Sequence, residues 1–380
     1  MFKYSFIAVI VSTVLLSACA DSHQKSAEKK TVTSEIANIA TSAPARWKQI
    51  DVASLEQAFP KQSRTPAQFP AYVDALKQKA AELGYKPETI NFAFSEIHFI
   101  DRVVKSDRNQ PEKKITLDVY LPRVVTKGRI AEGAKLYQAN QHQANQQTLA
   151  QISNQYGVPA NYIVALWGLE SGFGRVQGKE DVISALATLA FEGRREALFS
   201  RQLMAALEII ENGHLPVGQR LKGSWAGAMG QTQFMPSSFL TYAADGNGDG
   251  NIDIWNSRED AFASAANYLA TEGWQRDLPW GEQVSLPANF NQQLEGIKTE
   301  QQKTVAQWKA LGVQLPANSQ LSDDMKVWLI IPDDDLHRSY LVTQNFRTIM
   351  HWNSSYFFAL SIVTMADGVA NKINTLPTQH

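Results

Sequence analysis

The sequence predicts a mainly α-helical protein with one small β element near residues 325–345, and three observations carry that reading. Phe199, Leu203, Leu207 and Ile210 recur at helical spacing and run out at Gly213. Phe262, Ala265, Ala266 and Leu269 repeat the pattern and stop at Gly273. Strand-like alternation is confined mainly to residues 327–331 and 339–343, separated by a Pro-Asp-rich turn.

A chain of 380 residues, 44% hydrophobic and 19% charged, can bury a substantial core in one large domain or two moderate ones. A formal net charge of −1 leaves no basic excess for nucleic acid and no polyanionic tail. The aromatic share of 10%, with nine Trp, fits either a large core or flat faces on which sugar rings stack. Cys19 is the single cysteine, which excludes a disulfide framework and a Cys-based zinc site in the folded part.

The position of that cysteine is informative. Lys3 precedes an apolar stretch over residues 6–16, shorter than the roughly 20 residues that span a bilayer, so residues 1–18 read as a signal peptide. Its end, LSAC, resembles the lipobox of bacterial lipoproteins, in which the cysteine is lipidated and becomes the new N-terminus. Ala20, rather than Asp, follows Cys19, which favours the outer membrane, with the chain facing the periplasm. Residues 19–45 are polar and small and read as a flexible tether; the two S-x-x-K matches within it are chance. Residues 46–376 then read as one continuous folded domain, with no transmembrane helix and no separate module after residue 376.

Within that domain, residues 161–174 read NYIVALWGLESGFG. Ile163, Leu166, Trp167 and Glu170 stand at i, i+3, i+4 and i+7, so one helix face carries three apolar residues and a carboxylic acid. Burial beside a Trp disfavours the charged carboxylate and keeps the acid protonated, as a general acid must be. The S-G-F-G that follows breaks the helix and puts Glu170 near its end. Periodicity alone favours a plainer alternative, an acid at the helix edge, solvated or paired with an arginine such as Arg175.

Residues 223–240, GSWAGAMGQTQFMPSSFL, crowd small residues around Trp225 and Met229. Gln233 offers both a donor and an acceptor, suited to an N-acetyl or hydroxyl group, and Pro236 with two serines reads as a helix start. No phosphate-loop pattern is present. Residues 245–254, DGNGDGNIDI, place Asp245, Asn247 and Asp249 at positions one, three and five of an EF-hand-type loop. Gly250 stands at six, Asn251 offers a carbonyl at seven and Ile252 is the apolar residue at eight. Asn256 replaces the bidentate Glu at twelve; the nearest later carboxylates are Glu259 and Asp260, and a slightly longer loop would let Asp260 close a structural site for calcium, or for sodium or magnesium, with an Asx-rich surface turn as the plainer alternative. With no H-E-x-x-H and no His cluster, no catalytic metal or other catalytic cofactor is expected.

The lipobox, LESGFG, GAMGQTQFMPSSF and the calcium-like loop together resemble the membrane-bound lytic murein transglycosylase B family. The similarity continues through VISALATLAFEGRR, ASAANYLATEGW and NFRTIMHWNSS, from residue 47 to about residue 370. The resemblance implies a lysozyme-like, mainly helical catalytic domain that acts, as a monomer, on the glycan strands of peptidoglycan. It implies cleavage between N-acetylmuramic acid and N-acetylglucosamine without adding water, with Glu170 as the sole acid and base. By the same resemblance Gln233, Phe234, Tyr268, Asn353 and Tyr120 line the substrate cleft, and Asp245, Asn247, Asp249, Asn251 and Asp260 form the calcium loop. Phe358 stands where relatives carry a tyrosine, and Trp352 replaces another aromatic. A hydrolysing muramidase and a non-catalytic wall-binding lipoprotein are the competing readings.

Overall fold

The computed structural model describes residues 50, 52–109, 115–140, 149–215, 218–333 and 336–375. The expected signal segment, Cys19 and the tether lie outside the described residues. In chain order the first helices are α1 (Ala53–Ala58), α2 (Phe69–Glu82), α3 (Pro87–Phe94) and α4 (Asp101–Arg108). There follow α5 (Leu117–Val124), α6 (Lys127–Ala139), α7 (Leu149–Tyr156) and α8 (Ala160–Ser171). The middle of the chain forms β1 (Glu180–Asp181), α9 (Val182–Glu192), α10 (Glu196–Glu211), β2 (Lys222–Gly223), α11 (Pro236–Tyr242) and α12 (Arg258–Thr271). The last part forms β3 (Gly281–Val284), β4 (Lys303–Thr304), α13 (Val305–Ala310), β5 (Lys326–Ile330), β6 (Ser339–Val342), α14 (Gln344–Trp352) and α15 (Tyr356–Asn374). Among the described residues no helix is long and apolar enough to cross a membrane.

The chain divides into two compact units. The first takes the described residues 115–173 and 265–375, and its centre is α8. Helices α6, α7 and α15 pack on α8. The expected stripe of Ile163, Leu166, Trp167 and Glu170 is buried, but so are Ala160, Tyr162, Val164 and Ala165. The helix is therefore covered all round, and a single apolar face understates it. The β element is larger than the sequence suggests. Its strands run in the order β3-β6-β5-β4, all antiparallel, with Trp328 opposite Val342 and Gly281 opposite Val342 on the other side. The predicted pair, β5 and β6, is its middle. Val284, Trp308, Val327, Leu329 and Leu341 share a hydrophobic core with Phe290 and Val313, so residues 281–342 carry a core of their own.

The second unit takes the described residues 50–109 and 174–264. Its core is α9 against α10. Every residue of α9 up to Phe191 is buried, and Phe199, Leu203 and Leu207 of α10 are buried as the spacing predicts. Helix α10 ends where Gly213 takes a left-handed φ of 75°. Buried acids here meet cations. Glu196 holds Arg64 at 2.9 Å and accepts from the Tyr72 hydroxyl at 2.8 Å, while Asp107 is gripped by Arg194 and Arg195.

Candidate active site

The end of α8 explains why the sequence needs LESGFG. Gly172 takes a left-handed φ of 58° and its N–H bonds back to the Gly168 carbonyl at 3.1 Å, with Phe173 N–H reaching the Trp167 carbonyl. Phe173 itself stands at φ 62°, which a bulky residue adopts only when packing holds it there. Its ring meets Trp167 edge to face at 5.4 Å and lies over Gly168, where an added Cβ would come within 2.6 Å of it. Gly168 thus clears the space that lets the chain fold back and leaves Glu170 in the last turn, inside the unit.

Glu170 is only 7% exposed. Its one hydrogen bond among the described residues comes from the indole Nε1–H of Trp352, which donates to Oε1 at 2.9 Å. Burial pushes the carboxyl up to about 8, and the Trp352 bond pulls against that rise. Glu170 is thus buried rather than solvated at a helix edge, and among the described residues the side chain bonded to it is Trp352. The tryptophan at the acid is also not the one its helix periodicity suggests: Trp167 packs on Phe173, and Trp352 comes from 182 residues away.

Three further expected residues gather in this unit. The Tyr268 ring packs on Trp352 with centroids 4.7 Å apart. Tyr120, on α5, packs on Phe357 at 5.3 Å and shares a hydrogen bond with Ser361. Burial raises the Tyr120 hydroxyl above its ordinary value, and the negative charge of Glu170 adds to the rise, which places the two groups within electrostatic reach. Asn353 caps the end of α14, and among the described residues its buried Oδ1 has no hydrogen-bond partner, nor has the buried Oγ of Ser354. Two unpartnered acceptors inside a protein mark a place where a ligand or water can bond. Phe358 is half-buried and uses its backbone N–H to bond Ser355 Oγ at the start of α15.

The second unit holds the Gly-rich stretch and the calcium-like loop. Met229 and Phe234 exchange backbone bonds at 2.8 and 3.1 Å, which makes the stretch a tight hairpin. Gln233 at its corner takes φ 51°, and its Nε2 donates to the carbonyls of Gly230 at 2.8 Å and Gln177 at 3.3 Å. Its side-chain oxygen remains the group with which it can receive a bond. Phe234, the expected cleft residue beside Gln233, is 2% exposed within this hairpin. A hydrophobic ring in a tight hairpin is most stable turned inward. Pro236 opens α11 as expected.

In the loop, Asp245 accepts from the N–H groups of Gly248 and Gly250 at 2.6 and 2.8 Å, and Asn247 and Asp249 accept from Asp249 and Asn251 at 2.9 and 2.8 Å. Gly250 has φ 87°, the turn that position six of such a loop demands. Asp260 is fully buried and closes the loop from α12, with Oδ1 accepting from Gly246 and Asn247 and Oδ2 from Asp253. The buried apolar anchor is Ile254, two residues beyond Ile252. Among the described residues no three His, Cys, Asp or Glu side chains converge as a metal cluster. The donor set is nonetheless all oxygen, and the charge of Asp245 adds to the rise that burial causes at Asp260, a repulsion that a hard cation relieves.

Three other acids that a two-carboxylate mechanism could recruit are committed elsewhere in the second unit. Glu180 is held by Arg102, Asp181 by Arg220 at 3.0 Å and Glu192 by Arg108 at 3.1 Å.

Residues 68–367 match the family described as Transglycosylase SLT domain, most of the chain and every site residue above. The chain belongs to this family. It is 37% identical over 219 residues to membrane-bound lytic murein transglycosylase B of Escherichia coli, a match covering 57% of this chain and 58% of that protein. The matched part therefore spans little more than half the length of that relative. SltB3 of Pseudomonas aeruginosa, solved in complex with NAG-anhNAM-pentapeptide, aligns with a TM-score of 0.73 at 37% identity, covering 80% of this chain and 79% of that one. The Escherichia coli lytic transglycosylase Slt35, solved in complex with calcium, aligns with a TM-score of 0.66 at 29% identity, covering 80% and 94%. The mainly helical fold with small antiparallel sheets is thus the fold of this transglycosylase family. What reasoning from sequence missed within it is Trp352 as the partner of the acid; the one available signal was a bulky aromatic beside Asn353 in HWNSS.

Proposed function

We propose that this transglycosylase-family protein cleaves the β-1,4 bond between N-acetylmuramic acid and N-acetylglucosamine of peptidoglycan and leaves a 1,6-anhydromuramic acid end. The observation that carries the reading is Glu170, buried, bonded to one neutral donor and pushed up to about 8. At neutral pH it is mainly protonated and ready to donate. The complex of SltB3 with an anhydro muropeptide supports the same product here.

Two steps follow from one carboxyl. Glu170 gives its proton to the glycosidic oxygen, which takes the bonding pair as the bond to C1 breaks through an oxocarbenium-like state. The substrate's N-acetyl carbonyl stabilises C1 in place of a second carboxylate. Ionised Glu170 then takes the proton of the C6 hydroxyl, and O6 closes on C1. A hydroxyl held in place competes with water because effective molarities reach on the order of 10⁵ M. Asn353 and Ser354 supply unpartnered acceptors for substrate hydroxyl or amide groups, Tyr268 and Tyr120 supply ring faces, and Gln233 supplies an amide. Phe234, next to Gln233 in the hairpin, is the further aromatic that the resemblance assigns to substrate.

Asp245, Asn247, Asp249, Asn251 and Asp260 hold a calcium ion that braces the loop and takes no part in the chemistry; calcium bound to Slt35 supports this. Lipidated Cys19 ties the chain, through the tether at 19–45, to the outer membrane facing the periplasm, consistent with the membrane-bound relative. The catalytic domain covers residues 46–376. The test is mass spectrometry of murein digested by wild type and by Glu170→Gln. Anhydro ends, lighter by one water than reducing ends, are expected from wild type only. Reducing ends would make the protein a hydrolysing muramidase, and unchanged digestion by the variant would remove Glu170 from the reaction.

A further inference from the structure

Trp352 does more at the acid than fill space. An indole N–H only donates and does not ionise between pH 2 and 12. Here it points at one specific oxygen, Oε1 of Glu170, at 2.9 Å inside the unit. The ring is held on two sides. Tyr268 packs on it at 4.7 Å, and α14 delivers it from a fixed frame. That frame is built by Asn345, fully buried, whose side chain accepts from Gln275 N–H at 2.7 Å and donates to the carbonyls of Gln275 and Leu278 at 2.8 and 2.6 Å. Asn345 N–H bonds Thr343 Oγ1 at 3.2 Å, capping the same helix.

A carboxyl oxygen that already faces an N–H proton is a poor place for a second proton. The acidic hydrogen of neutral Glu170 therefore sits on Oε2. When Glu170 ionises, the same indole bond becomes charge-assisted and roughly twice as strong. Trp352 thus sorts the two oxygens in one half of the cycle and steadies the charge in the other.

We propose that Trp352 is a positioning residue for Glu170: its N–H reserves Oε1, leaves Oε2 as the oxygen that gives and takes the proton, and favours the ionised form needed for ring closure. The inference rests on the proposed two-step reaction. Among the described residues the groups bearing on Glu170 are few. Burial and Trp352 act on it directly, and Tyr120 of α5 is the titratable side chain that feels its charge. Helix α7, packed on α8, carries no charged side chain, and α6 and α15 contribute none that acts on the acid. Asp367 of α15 is engaged by Trp280 Nε1 at 3.0 Å.

The experiment compares wild type with Trp352→Phe, which keeps a ring for Tyr268 but has no donor, and Trp352→Tyr, which has a ring and a donor. Two readouts are taken: the pH profile of kcat/KM for release of anhydro ends, and direct titration of the Glu170 carboxyl by ¹³C NMR without substrate, assigned against Glu170→Gln. Removing a bond to the charged form makes ionisation harder. Trp352→Phe is expected to move the carboxyl midpoint and the alkaline limb up by about one pH unit. It is also expected to lower kcat roughly ten-fold with little change in KM, and Trp352→Tyr to recover part of both. A midpoint that stays put in well-folded Trp352→Phe overturns the proposal. If that variant does not fold, Trp352→Leu, which also lacks a donor, is read in the same way: an upward shift of the midpoint supports the proposal, and a midpoint that stays put overturns it. A shifted midpoint with no anhydro ends from wild type at any pH supports the action of Trp352 on Glu170 while overturning the reading of the reaction.

Discussion

Glu170 in the first unit and Asp260 in the second are both acids removed from water, at 7% and 0% exposure, and both are raised by burial. Their company differs. Glu170 has one donor, a neutral indole, among the described residues. Asp260 accepts from three backbone N–H groups and bonds Ser257 as well. A carboxylate surrounded by donors is a fixed charge that organises chain; a carboxyl with one donor is free to exchange its proton. The same residue chemistry suits a structural role in one place and the proposed proton exchange in the other, and what differs is the number of donors.

The largest expected effect that sharpens this contrast is on activity. Glu170→Gln should lower release of muropeptides by about 10³-fold or more while circular dichroism stays that of wild type, since general acid–base groups contribute 10²–10⁴-fold. Asp260→Asn, made the same way, should leave per-molecule turnover within about a few-fold but damage the fold. Half its acceptor capacity is lost beneath three backbone N–H groups, and denaturant unfolding should show a loss of about 3 kcal/mol. Equal effects of both substitutions on turnover and on stability would dissolve the distinction.

A pH test follows from the sign of the Glu170 shift. Its folded value lies above the unfolded one, so the unfolded chain has lost the proton where the folded chain still holds it. Stability therefore falls as pH rises from about 4.5 to about 8. Glu170→Gln removes that penalty. It should be more stable than wild type by on the order of a few kcal/mol at pH 8 and by nearly nothing at pH 4.5, read by denaturant midpoints. A constant difference across the range would mean the carboxyl does not titrate as described. The smallest effect concerns the loop: a chelator should lower the melting temperature by a few degrees, added calcium should restore it, and Asp245→Ala should abolish the response. An identical melting curve with and without calcium would leave the loop a purely self-bonded turn.

Helices were legible where their apolar residues recur locally. The 199–210 run, the break at Gly172 and the pair of strands at 326–330 and 339–342 all follow from neighbours within a few positions. What stayed hidden depends on distance along the chain. Trp352 meets Glu170 across 182 residues, and no local pattern announces it. The outer strands β3 and β4 are short and gain their place from the β5–β6 pair and from Trp308 beneath them. Asp260 was reached by counting acids past a missing Glu. The structure adds that it closes the loop through backbone N–H groups, a bond type that sequence does not display.

The central claim, that burial with a single donor keeps Glu170 protonated near neutral pH, has one direct measurement. Site-resolved ¹³C NMR titration of the Glu170 carboxyl in the wild-type protein, assigned by the signal lost in Glu170→Gln, should give a midpoint near 8. A midpoint in the ordinary carboxylate range, about 4 to 5, would mean that the acid is ionised when the reaction needs it protonated, and would contradict the account.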